Sequence, residues 1–164
     1  MFTSEVLDLA AEVLDAYRAR GWHLATAESC TGGLLAAALT SIAGSSDVVE
    51  RGFVTYSNEA KIEVLGVPPA TIAAHGAVSA ETATAMARGA IVRAPVEVAV
   101  SITGVAGPGG GSAEKPVGLV IFCLAERDGV CRTQRHVFPG DRTEVREAAL
   151  KVALGFLADT AKSQ

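Results

Sequence analysis

The stretch Ala27-Glu28-Ser29-Cys30-Thr31-Gly32-Gly33 decides how this chain is read. It stands where a short apolar run, Trp22 to Ala27, gives way to a small-residue helical pattern that continues to Ile42. A strand, a tight turn and a helix start are predicted there, with the helix over Thr31 to Ile42. Ser29 then sits on an exposed turn, close to backbone N–H groups that no carbonyl of the helix can take. Such a turn presents a serine nucleophile beside donors for an oxyanion. It also suits a bound phosphate, and the commonest use of a serine there is simply to cap the helix.

Outward from the turn, the pattern alternates. Ser4 to Arg20 has apolar residues at three- and four-residue steps and a stop at Gly21, which predicts an amphipathic helix. Val48 to Tyr56 reads as a strand, Asn58 to Leu65 as a short helix capped by Ser57, and Gly66 to Pro69 as a break. A helix capped by Ser79 runs to about Arg93, and Val96 to Thr103 is a strand. Val117 to Ala125 and Val130 to Phe138 form a hairpin about Arg127-Asp128-Gly129. Asp141 with Glu144 opens a last helix through a capping box, with Val145, Ala148, Ala149, Val152 and Phe156 on its apolar face. Helices alternating with strands, then a late hairpin, predict an α/β fold: a single-domain three-layer α/β/α sandwich with a mixed sheet, spanning residues 1–164. Strand order does not follow from periodicity.

The composition narrows the function. Residues are 49% hydrophobic and 20% charged, the net charge is −4 and the pI about 5.4. That balance argues for a folded domain and against nucleic acid as partner. No apolar run approaches the roughly 18 residues of a membrane span, and Glu5, Asp8 and Glu12 interrupt the first apolar residues, so neither membrane insertion nor a secretory leader is expected. A cytoplasmic location follows. Cys30, Cys123 and Cys131 lack a C-x-x-C pair, and His23, His75 and His136 lack metal-site spacing, so no metal and no cofactor is expected.

Lys61 is the candidate base for Ser29. It lies about a turn into the Asn58–Leu65 helix, where the positive end of the dipole disfavours its charge, and burial acts in the same direction. A solvated helix lysine is the plainer reading of it. Tyr56, at the preceding strand end, is placed to relay a proton or to position the amine; core packing is its ordinary role. Cys30 is the rival nucleophile, although neighbours on a chain do not both face one pocket. The loop Thr103-Gly104-Val105-Ala106-Gly107-Pro108-Gly109-Gly110-Gly111 follows a strand, and its amides are free to approach a phosphate or an oxyanion, yet it fits neither a Walker loop nor a dinucleotide fingerprint. Arg142 and Arg146 begin the last helix and are candidate phosphate partners.

Six stretches in order carry a resemblance: residues 27–33, Thr55-Tyr56-Ser57-Asn58-Glu59-Ala60-Lys61, Gly76-Ala77-Val78-Ser79, Ser101 to Gly110, Lys115-Pro116-Val117-Gly118 and Gly140-Asp141-Arg142. Together they resemble the C-terminal domain of the competence/damage-inducible CinA family, over nearly the whole chain. The resemblance implies an amidase that hydrolyses nicotinamide mononucleotide to nicotinic acid mononucleotide and ammonia. It implies Ser29 as nucleophile, Lys61 as its base, Tyr56 assisting, Thr103 and the following loop lining the pocket, and Arg142 holding the nucleotide. On that reading the oxyanion donors are backbone amides near Thr31, Gly32 and Gly33, or near Thr103 and Gly104. The amides of Gly107, Gly109 and Gly110 anchor the phosphate with Arg142. A homo-oligomer is an added expectation, since small α/β domains often cover apolar helix faces with a copy. Two alternatives stand beside this one: a nucleotide-binding sensor without chemistry, linked to competence or DNA damage, and a Cys30-dependent amidase.

Overall fold

The computed structural model describes residues 2–163. Five strands form one sheet: β1 (Leu24–Glu28), β2 (Val49–Val54), β3 (Val98–Gly104), β4 (Leu119–Glu126) and β5 (Cys131–Val137). Their order is β2-β1-β3-β4-β5. The β2-β1-β3 part is parallel and the β3-β4-β5 part antiparallel, so the sheet is mixed.

Helices cover both faces. On one lie α1 (Ser4–Arg20), α2 (Leu34–Thr40) and α6 (Arg142–Lys162), packed on Leu24, Val98, Val100, Ile102, Phe122 and Leu124. On the other lie α3 (Asn58–Leu65), α4 (Pro69–His75) and α5 (Ala80–Arg93), with Ala25, Ala27, Ala99 and Cys123 turned towards that side. The alternation along β1, β3 and β4 is the period-two rule of a strand, and every residue of β1 is buried because both faces are covered. The side chains that β1 and β3 turn to this face are small: Ala25, Ala27, Ala99 and Ser101. They let α5 approach until Ser101 Oγ donates to Ala83 O at 2.6 Å.

The ends of the elements follow local chemistry. Gly21 closes α1 in the left-handed conformation, Ser57 Oγ accepts from Ala60 N to start α3, and the capping box of Asp141 and Glu144 starts α6. Two expected elements differ. Helix α2 begins at Leu34 and not at Thr31, because Gly32 and Gly33 have φ of 60° and 95°, which no helix accommodates. Helix α4 starts at the last residue of the expected break, Pro69, and runs through residues for which no element was expected; none of them is fully buried, so it carries little amphipathic signal.

This topology fixes where a site belongs. After β1 the chain leaves over one face towards β2, and after β3 it leaves in the other direction towards β4. The carboxyl ends of β1 and β3 therefore flank a crevice at the switch point of the sheet.

Candidate active site

The alternation of β1 continues past its last residue. Ala25 and Ala27 point to the α3–α5 side, so Ser29 points there too, while Cys30 joins the cluster under α1, α2 and α6. Ser29 N donates to Ile102 O at 2.9 Å, which holds the turn against β3. From the α3 side comes Lys61, only 1% exposed. Lys61 Nζ lies 2.9 Å from Ser29 Oγ and donates to Thr55 O, also at 2.9 Å. Thr55 N in turn donates to Glu28 O, so the lysine is tied to the strand end that carries the serine.

Lys61 is buried because it shares the inner face of α3 with Leu65, one turn on. Burial pulls its proton affinity below the usual lysine range; the opposing influence of Cys30 is smaller. Among the described residues it makes no ion pair. A buried amine without a counter-ion is driven towards its neutral form, whose lone pair accepts a proton. The Cys30 thiol is pushed by burial up to about 11, which disfavours the thiolate.

A cavity of about 180 Å³ opens beside the pair. Its lining includes Ser29, Cys30, Tyr56, Lys61, Thr103, Gly104 and Arg142, so Ser29 and its neighbour both border the cavity, contrary to expectation, although Cys30 is also packed in the cluster under α1, α2 and α6. Asn58, Ala77 and Val78 also line it; they belong to two of the stretches that carry the family resemblance, but no site role was expected of them. Thr103 Oγ1 donates to Ala77 O and so fastens β3 to the segment before α5.

Other residues singled out in the sequence lie elsewhere. Tyr56 stands at the cavity mouth, 61% exposed, and its hydroxyl accepts from Arg142 Nη2 at 2.7 Å and not from Lys61 or Ser29. A proton relay through Tyr56 is not what this geometry offers. Thr31, Gly32 and Gly33 are outside the cavity lining: Thr31 turns back to donate to Glu28, and the two glycines serve the bend. Gly107, Gly109 and Gly110 are outside it as well. The glycines let this loop fold onto its own return segment, since a Cβ at Gly107 would fall 2.6 Å from Val117 Cγ1 and one at Gly111 2.8 Å from Val117 N. Gly107 contributes its carbonyl, which accepts from Arg142 Nη1 at 2.8 Å.

Glu28 is the residue that sequence reasoning passed over. It is fully buried, and its carboxylate oxygens accept from Thr31 Oγ1, Leu35 N and Ala36 N at 2.7, 3.1 and 2.9 Å. It therefore caps α2 from the preceding strand. Its signal was an acidic residue ending an apolar strand, where only a waiting set of donors makes burial tolerable.

Residues 6–161 match the family model described as the CinA C-terminal domain. The chain belongs to the CinA family. Among its relatives, a nicotinamide-nucleotide amidohydrolase PncC of Escherichia coli strain K12 is 53% identical over 154 residues, 94% of this chain and 93% of that protein. A CinA-like protein of Mycobacterium marinum is 54% identical over 156 residues, which cover 94% of this chain and 35% of that longer protein. The crystal structure of the competence/damage inducible protein CihA from Agrobacterium tumefaciens superposes with a TM-score of 0.94 at 48% identity, covering 97% of each chain. This sheet, with helices on both faces, is thus a CinA fold.

Proposed function

We propose that this protein is an amidohydrolase that converts nicotinamide mononucleotide to nicotinic acid mononucleotide and ammonia, with Ser29 as nucleophile and Lys61 as its base. The observation that carries the reading is the 2.9 Å approach of a buried lysine amine to a serine hydroxyl in a cavity. The similarity to the amidohydrolases named above supports the substrate class.

In this mechanism neutral Lys61 accepts the hydroxyl proton as Ser29 Oγ attacks the carboxamide carbon, and Thr55 O holds the amine in place. The cationic pyridinium draws electrons from that carbon and makes it more electrophilic. Protonated Lys61 then donates to the departing nitrogen, which leaves as ammonia. Water attacks the acyl ester by the reverse of the same route and restores Ser29. For the oxyanion we favour the backbone N–H of Gly104 over those of Thr31 to Gly33. Val105 N donates to Leu119 O on the β4 side, and successive amides of a strand point to opposite edges. The amide of Gly104 therefore faces the β1 edge, where Ser29 stands. In the turn itself Gly32 N is already spent on Ser29 O, and the amides of Leu35 and Ala36, at the start of α2, are spent on Glu28.

Size decides how the substrate lies. An apolar cavity of about 150 Å³ takes a benzene ring, so one of about 180 Å³ takes the nicotinamide ring and not the whole nucleotide. The ribose phosphate then lies across the mouth, by Tyr56 and the exposed Arg142. Two N–H groups of Arg142 are engaged with Gly107 and Tyr56, which leaves donors of its five for a phosphate. Cytoplasm is the location we propose with this activity; all three cysteines are free thiols, the state a reducing compartment maintains.

The test is ammonia release from nicotinamide mononucleotide by the purified chain with a chelator present. Ser29→Ala and Lys61→Ala should each abolish turnover with the circular dichroism spectrum unchanged. Near-normal turnover in either variant would refute the dyad. Tight binding with no ammonia from the wild type would hand the site to the sensor reading.

A further inference from the structure

Arg142 and Arg146 lie one turn apart on α6, and by sequence they are equivalent. By position they are not. Arg142 lines the cavity, whereas Arg146 does not. Arg146 Nε donates to Cys30 O at 3.1 Å and its Nη2 to Thr31 O at 3.0 Å. These are the two residues directly after Ser29. The guanidinium also packs against Gly32, where a Cβ would lie 3.3 Å from Nη2. Glu28 holds the same turn through Thr31 Oγ1 and the start of α2 behind it through Leu35 N and Ala36 N, all three donating to its carboxylate. The bend that carries the serine is thus gripped at its carbonyls by a cation and at its donors by an anion.

We propose that Arg146 is a positioning residue for Ser29. By bridging two successive carbonyls it fixes the direction of the turn, and with it the line from Ser29 Oγ to Lys61 Nζ. The inference rests on the role proposed above for Ser29 as nucleophile. A planar guanidinium suits this task because two N–H groups in one plane set an orientation as well as a distance. The use of Arg146 as a phosphate partner fits less well: two of its donors are committed to the turn and it stands outside the cavity.

The experiment compares the wild type with Arg146→Ala and Arg146→Lys in two readouts. One is steady-state ammonia release; the other is the rate at which a fluorophosphonate modifies Ser29, which needs an aligned serine and no amide substrate. Misplacement of a reacting group by about 1 Å can cost about 10²-fold in rate, so kcat of Arg146→Ala should fall by about that factor while KM changes little. The labelling rate should fall in parallel. Guanidinium ion added to Arg146→Ala should restore part of both rates, which a general loss of stability would not allow. Arg146→Lys should remain impaired, because an ammonium cannot span both carbonyls in one plane. If Arg146→Ala does not fold, the lysine variant decides: a lowered kcat at unchanged KM supports the inference, and wild-type kcat overturns it. A kcat within about 3-fold of wild type in Arg146→Ala, or a raised KM with kcat intact, overturns it too. A wild type that is labelled at Ser29 but releases no ammonia ends the amidase reading. The labelling rates then judge Arg146 alone.

Discussion

Gly89 and Gly155 are both interior glycines of helices, in α5 and α6, and the structure predicts opposite responses to alanine. Alanine in a helix interior is favoured over glycine by about 1 kcal/mol. At Gly155 nothing lies within 4 Å of the added Cβ, so the full gain should appear. At Gly89 the Cβ would overlap the carbonyl oxygen of Leu65, with the carbon of that carbonyl 2.9 Å away. The obstacle is backbone, so relief requires α3 to move as a body. Overpacking of this kind costs about 1–3 kcal/mol, which outweighs the propensity gain. The net change at Gly89 is a loss of up to about 2 kcal/mol. For a chain of this size about 1 kcal/mol moves Tm by about 2–4 °C. Thermal melts should therefore show Gly155→Ala above the wild type and Gly89→Ala below it by a few degrees. Because α3 carries Lys61 one turn before Leu65, Gly89→Ala should also lower kcat. Equal stabilisation by the two substitutions would refute the close approach of α3 to α5 and the account of how Lys61 is held.

Activity should rise with pH and reach its plateau below the ordinary lysine value of about 10.4, because burial favours neutral Lys61; a profile flat or falling towards alkaline pH would contradict this. The folded state gives up a proton that the unfolded state keeps, so stability should rise with pH up to about 10.4. That rise should be missing from urea titrations of Lys61→Met. Iodoacetamide should leave turnover unchanged near neutral pH, because the Cys30 thiol is held up at about 11; inactivation with Cys30 modified would revive the thiol reading. Glu28→Gln swaps one acceptor oxygen for a donor facing the start of α2 and should cost about 1–3 kcal/mol, read as a lowered urea midpoint.

What could be read from the sequence was local. The cap of Ser57, the box of Asp141 and Glu144 and the stop at Gly21 each act within a few residues, so the starts of α3 and α6 and the end of α1 coincide with expectation. Helix α4 sets only Ile72, half-buried, against the core and so left no periodic trace, and strand order depends on contacts that periodicity does not encode. The site divides in the same way. Ser29 and Lys61 stand out by residue type and local setting, but their meeting across 32 positions is made by the sheet. The glycine loop misled because a chain folding on itself needs glycine as much as a ligand does. Glu28 and Arg146 were opaque because each acts on a turn whose shape only the folded protein reveals.

Order of synthesis gives the α6 contacts a temporal meaning. The turn bearing Ser29 leaves the ribosome early, and the arginine that bonds to it follows 116 residues later. Helix α6 must emerge and dock beside α1 before that bend acquires its final support. A polypeptide that stops short of α6 thus carries Ser29 and Lys61 without the two Arg146 bonds to the bend, and under the roles proposed above it lacks the support that aligns them.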